Sequence, residues 1–84
     1  MRLILIYDTK ELEESISTLC KKYNTALDSF KDKTSKGYAI KGRYGTKLSP
    51  FAVFTHNGFE IPFYSDNGDF SYEHIEEILN RYAK

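Results

Sequence analysis

A single cysteine, Cys20, cannot close an internal disulfide, so no covalent staple braces this chain. Together with two distant histidines, His56 and His74, it does not make up a four-ligand structural zinc site either. Long apolar runs are missing. The longest near the start, Leu3-Ile4-Leu5-Ile6, is four residues. A membrane span needs roughly 20 apolar residues. A cleavable signal needs a longer apolar stretch and a small-residue cleavage site. The expectation is a cytoplasmic protein with no membrane partner. Net charge is also missing, since 12 basic residues face 12 acidic ones. That balance argues against a strongly cationic nucleic-acid binder, but not against a local basic patch.

What the chain does have is apolar and aromatic side chains: 40% of its 84 residues are apolar, with seven tyrosines and six phenylalanines. That is too much sticky surface for a disordered segment. The length corresponds to one domain, residues 1–84. A domain this small buries only roughly 60% of the surface its unfolded chain exposes. Some of the rings must therefore show on the outside, where they offer contact surface for a partner or a second copy.

Patterning gives the element order. Leu3 to Tyr7 is a continuous run of β-formers and suits a strand buried on both faces. Asp8, followed three positions later by Glu11, forms an Asp version of the capping box and starts a helix over about residues 9–23. Leu12, Ile16, Leu19, Cys20 and Tyr23 make its apolar stripe. Thr25 to Phe30 is a second strand, parallel to the first if the helix crosses between them. Gly37 to Gly45 fits either a short irregular helix or a loop with aromatic anchors. Phe51 to Thr55 and Glu60 to Tyr64 flank Asn57-Gly58, the strongest short hairpin signal, and Pro62 sends the return strand to a sheet edge. Ser71 caps a last helix with Tyr72, Ile75, Ile78, Leu79 and Tyr82 on its apolar face. This order predicts an α/β sandwich with a mixed four-stranded sheet.

Tyr44-Gly45, Ser49-Pro50, an apolar strand, Asn57-Gly58 and a closing amphipathic helix resemble the second half of thioredoxins. The resemblance covers the whole chain in element order and is carried at motif level by about residues 44–60. It implies a thioredoxin-like βαβ(α)ββα sandwich in which Pro50 is the family's cis-proline, with Ser49 before it. It also implies that substrate polypeptides dock through the backbone beside that proline. The departure is chemical. Where thioredoxins and glutaredoxins carry Cys-x-x-Cys or Cys-x-x-Ser, this chain reads Tyr7-Asp8-Thr9-Lys10-Glu11. Cys20 falls near the other end of the same helix, on its buried stripe, where neither the helix dipole nor burial favours a thiolate.

The resulting expectation is a redox-inactive adaptor that docks a protein partner at Tyr7, Asp8, Thr9, Ser49 and Pro50, with no cofactor and no metal. A second reading rests on charge distribution. Lys31, Lys33, Lys36, Lys41, Arg43 and Lys47 face only Asp32 within residues 31–47, while residues 60–84 carry six acids against Arg81 and Lys84. Such a segment suits an anionic partner or single-stranded nucleic acid, with Tyr38 and Tyr44 interleaved. A third reading, a single-thiol or glutathione-dependent enzyme, needs Cys20 exposed and acidic. No Ser–His or Cys–His arrangement points to other nucleophilic chemistry. The sequence places His56 at a hairpin tip and His74 in a first helical turn, both solvated, and Glu73, Glu76 and Glu77 on a wet helix face. Glycines 37, 42 and 45 match no phosphate-binding loop.

Overall fold

Alternation along the first strand sets the architecture. In a computed structural model of the chain, which describes residues 1–83, β1 (Arg2–Tyr7) lies inside a four-stranded sheet. Leu3 and Leu5 point to one face and Ile6 to the other, and all three are fully buried. On the Leu3 side the sheet is covered by α1 (Lys10–Lys22) and α3 (Tyr72–Tyr82), which bury Ile16, Leu19, Cys20, Ile75, Ile78 and Leu79. On the Ile6 side the cover is α2 (Ser35–Arg43), whose Ile40 and capping Tyr44 pack over Ile6, Phe51 and Val53.

β2 (Ala26–Lys31) pairs with β1 in parallel, Leu3 beside Leu27, and forms one edge. β3 (Phe51–His56) pairs with the other side of β1 antiparallel, and β4 (Phe59–Phe63) closes the second edge, giving the order β2-β1-β3-β4. The mixed α/β sandwich expected from patterning is the one observed. Pro62 stands on the edge strand, where a missing N–H is tolerated. Asn57 and Gly58 take φ of 50° and 85°, the two positive values of the tight turn that matches strand twist.

Several local details differ from the expectation. The cap of α1 is Thr9, not Asp8: its hydroxyl accepts from the Leu12 N–H at 3.3 Å. Thr9 is the residue with extended backbone geometry directly before the first helical turn. Residues 35–43, open to two readings, are helical. Thr34 caps them by accepting from the Gly37 N–H at 3.2 Å. Gly37 is required there because a Cβ would lie 2.9 Å from the Lys31 carbonyl oxygen. Tyr72 is 41% exposed rather than part of the core. Glu76 is half-buried, accepting from Lys22 Nζ at 3.1 Å and from the Tyr23 hydroxyl at 2.9 Å, which ties α3 to α1. Neither histidine is simply solvated. The His56 ring packs among Phe54, Phe59 and Tyr82, and the His74 ring sits edge-on to Phe63 with Nδ1 2.8 Å from the Asp69 carbonyl.

Total stability for a chain this size is roughly 4–13 kcal/mol, so single core defects are felt. Truncating Leu5→Ala is expected to remove about 2–5 kcal/mol, read as a drop in the urea midpoint at constant slope. Gly37→Ala is expected to cost about 1–3 kcal/mol through overpacking against β2, despite alanine's better helix propensity. A Gly37→Ala chain as stable as the parent would show that α2 does not press on β2 as described.

Candidate functional site

The chain leaves β1 and β2 at the same end of the sheet, because the two strands are parallel. The segment feeding β3 arrives at that end too. Ile6 is registered against Phe51, the last pair of that ladder, so Tyr7, Asp8 and Thr9 leave β1, and Ser49 and Pro50 enter β3, at this end. The five residues expected to form a docking surface are thus gathered at one end of the sheet. Tyr7, Ser49 and Pro50 are half-buried, and Asp8 and Thr9 are exposed. The Ser49–Pro50 peptide bond is cis.

A buried cation organises this end. Lys41 is 3% exposed, and its Nζ donates to Asp32 Oδ1 at 2.7 Å, to Ser49 Oγ at 3.0 Å and to the Lys47 carbonyl at 3.3 Å. An ammonium has three protons, so these acceptors use all of them. The Asp32 N–H in turn donates to the Tyr7 carbonyl at 2.8 Å. Hydrogen bonding from Lys41 holds the Asp32 carboxyl below its ordinary range despite partial burial, with lesser help from the Ser49 hydroxyl and the Lys33 backbone. One side chain from α2 therefore joins the turn after β2 to the loop before β3.

Further hydrogen bonds hold parts of that loop. The Thr46 N–H donates to the Lys41 carbonyl at 3.0 Å, and the Leu48 N–H to the Thr46 hydroxyl at 3.2 Å. The Tyr64 hydroxyl donates to the Tyr44 carbonyl at 2.9 Å, and the Ser65 hydroxyl to the Pro50 carbonyl. Among the described residues, the backbone N–H and C=O of Ser49 meet no protein partner. A residue that offers both an unused donor and an unused acceptor can pair with an extended chain.

Lys41 is a correction to the basic set read from the sequence. It is neutralised internally and is not available to an anion. Lys31, Lys33, Lys36, Arg43 and Lys47 are exposed and have no ion-pair partner among the described residues. Sequence reasoning missed the Lys41–Asp32–Ser49 network because the three residues are eight or nine positions apart across a helix that was itself undecided. Cys20 is 1% exposed, and burial pushes its thiol up to about 11. Among the described residues no group of His, Cys, Asp and Glu is placed to hold a metal ion, and no helix is long and apolar enough to cross a membrane.

Lys41→Met is expected to lower stability by about 2 kcal/mol, less than the roughly 3–5 kcal/mol of a fully buried pair because Asp32 keeps some solvent contact. It should also speed amide exchange at Thr46 and Leu48, which hydrogen exchange by NMR would read. The pH dependence follows from the lowered carboxyl. A group whose folded pKa is depressed contributes stability that is present above its unfolded value and is lost as pH falls through the folded one. The stability gap between the parent chain and Asp32→Asn should be constant near neutrality and close in acid, below the usual aspartate value near 3.8. Native Cys20 should react with iodoacetamide at least about tenfold more slowly than the urea-unfolded chain at pH 8. Equal rates would contradict its burial. A comparison with family models, curated proteins and solved structures finds no match to this chain.

Proposed function

We propose that this chain is a redox-inactive, thioredoxin-like binding module that docks an extended segment of a partner protein along Ser49 and Pro50, beside Tyr7, Asp8 and Thr9. The observation that carries the reading is the unused Ser49 N–H and C=O, next to half-buried Pro50, in a loop held at the Thr46 N–H, the Lys47 carbonyl, the Leu48 N–H and the Pro50 carbonyl. The element order supports the family resemblance, and the absence of a thiol from Tyr7 to Glu11 supports binding without exchange chemistry. A thiol-dependent activity has no reachable thiol to use, since Cys20 is the sole cysteine and is buried. A reducing, cytoplasmic setting fits a chain with one unpaired cysteine.

Titration of the isotope-labelled protein with oxidised insulin B chain, a generic extended polypeptide, tests this. The amides of Tyr7, Asp8, Thr9 and Ser49 should shift together and saturably. Ser49→Ala should keep the response, because backbone groups make the contact, and Ser49→Pro should lose it. Shifts confined to other surfaces, or none, defeat the reading. In a dithiothreitol-driven insulin reduction assay the protein should add nothing to the background rate, and robust turnover would end the argument for a redox-inactive module.

A further inference from the structure

The two edges of the sheet offer different things to a neighbour. On β4 the tight turn makes His56–Phe59 a bonded pair, so Phe54–Ile61 and Ala52–Phe63 are bonded pairs too, and Glu60 and Pro62 turn their backbone outward. Pro62 has no N–H, so that edge is interrupted. On β2 the Ala26 N–H donates to the Met1 carbonyl at 3.1 Å and the Asp32 N–H to the Tyr7 carbonyl at 2.8 Å. The even-numbered residues therefore bond to β1, and Leu27, Ser29 and Lys31 turn their N–H and C=O groups away from the sheet. Among the described residues one of these outward groups has a partner: the Lys31 carbonyl accepts from the Thr34 hydroxyl at 2.7 Å. Ala26 and Lys31 are exposed and the residues between them half-buried, which leaves this edge open.

Side-chain charge selects what fits beside it. Phe30 packs on the α2 face of the sheet, and Lys36 Nζ lies over its ring, 5.9 Å from the centre. Lys36 is exposed and has no carboxylate partner among the described residues. Asp28 stands on the same face, two residues before Phe30. Arg2 engages its Oδ2, and Oδ1 has no partner among the described residues. A second β2 laid antiparallel about a two-fold axis at Ser29 sets Asp28 of each copy directly opposite Phe30 of the other, under that copy's Lys36 ammonium. In the same register Lys31 falls opposite Leu27, and Ser29 opposite itself, so no like charges meet. With the axis at Asp28, two aspartates would face each other, and with the axis at Phe30, Asp28 would face Asp32; both are unfavourable.

We propose that two copies of this chain pair through β2, antiparallel and centred on Ser29, joining their four-stranded sheets into one. Each Ser29 N–H donates to the Ser29 carbonyl of the other copy, and each Lys31 N–H to the other copy's Leu27 carbonyl. Each Leu27 N–H takes the second lone pair of a Lys31 carbonyl whose first is held by Thr34. A Lys36–Asp28 ion pair flanks the axis on either side. Because Pro62 blunts the opposite edge, the assembly closes at two copies and does not grow along the sheet. The proposal is independent of the docking reading above, since no residue of the loop before β3 belongs to this seam.

Sedimentation equilibrium and amide shifts, followed from about 10 μM to about 1 mM protein, decide. The mass should rise from 9.8 kDa towards twice that value, and the Leu27, Ser29 and Lys31 amides should shift over the same range. Ser29→Cys chains oxidised with copper phenanthroline should cross-link, because a bonded antiparallel pair sets its Cα atoms about 5.5 Å apart, within the span of a disulfide. Asp28→Cys, which faces Phe30 and not itself, should cross-link at least about tenfold more slowly. Cys20 is buried and takes no part. Lys36→Glu suits the first turn of α2, so the fold is kept, but it sets two carboxylates together on each side of the axis and should weaken pairing roughly tenfold. Lys36→Arg should pair as the parent does. A mass of 9.8 kDa at every concentration, or a dimer whose shifts lie on other surfaces, overturns the proposal. Equal cross-linking of the two cysteine variants, or undiminished pairing of Lys36→Glu, overturns it as well. Shifts at Leu27, Ser29 and Lys31 on adding oxidised insulin B chain, with none on raising the protein concentration, overturn it in favour of a strand from another protein.

Discussion

A lysine ammonium inside a small protein is tolerated only if each of its protons finds an acceptor, since its desolvation otherwise costs several kcal/mol. Lys41 meets that demand with a carboxylate, a hydroxyl and a carbonyl drawn from two separate chain segments. The condition works in both directions. The helix cannot shift without stranding the charge, and the loop before β3 cannot open without losing two of the three acceptors. Asp32 passes the constraint on to β1 through the Tyr7 carbonyl. The shape of the loop that offers Ser49 is thereby set by the same interaction that seats α2 on the sheet.

That coupling matters more here because α2 has little else. Nine residues, two of them glycine, are too few to hold a helix by propensity alone. Its support is tertiary: Ile40 and Tyr44 over Phe51 and Val53, Gly37 pressed against the end of β2, and the buried ion pair. The opposite face has a deeper core, with two longer helices over Leu3, Leu5, Phe54 and Phe63. The two faces thus differ in character, one supplying most of the packing and the other carrying the shorter helix and its charged, open surface.

Features that depend on neighbours in sequence were legible. The β1 run, the α1 stripe, the Asn57-Gly58 turn and the Ser71 cap each rest on a few adjacent residues, and the four-stranded mixed sheet follows from them. Features that depend on distant contacts were not. Gly37 reads as a helix breaker until the Lys31 carbonyl is seen against it. Lys41 reads as one more surface cation until Asp32 and Ser49 are seen around it. His56 reads as a hairpin polar residue until Tyr82, from the far end of the chain, is seen packing on its ring. The set Tyr7, Asp8, Thr9, Ser49 and Pro50 came from a resemblance, and strand pairing reaches only its neighbours Ile6 and Phe51.

The burial of Cys20 has a kinetic meaning for a module of the proposed kind. No sulfur at the surface can form a covalent bond to a bound chain, so a complex persists only as long as weak contacts hold. Occupancy then tracks the concentration of the partner and its rate of escape, and changes in oxidant level leave that balance where it was.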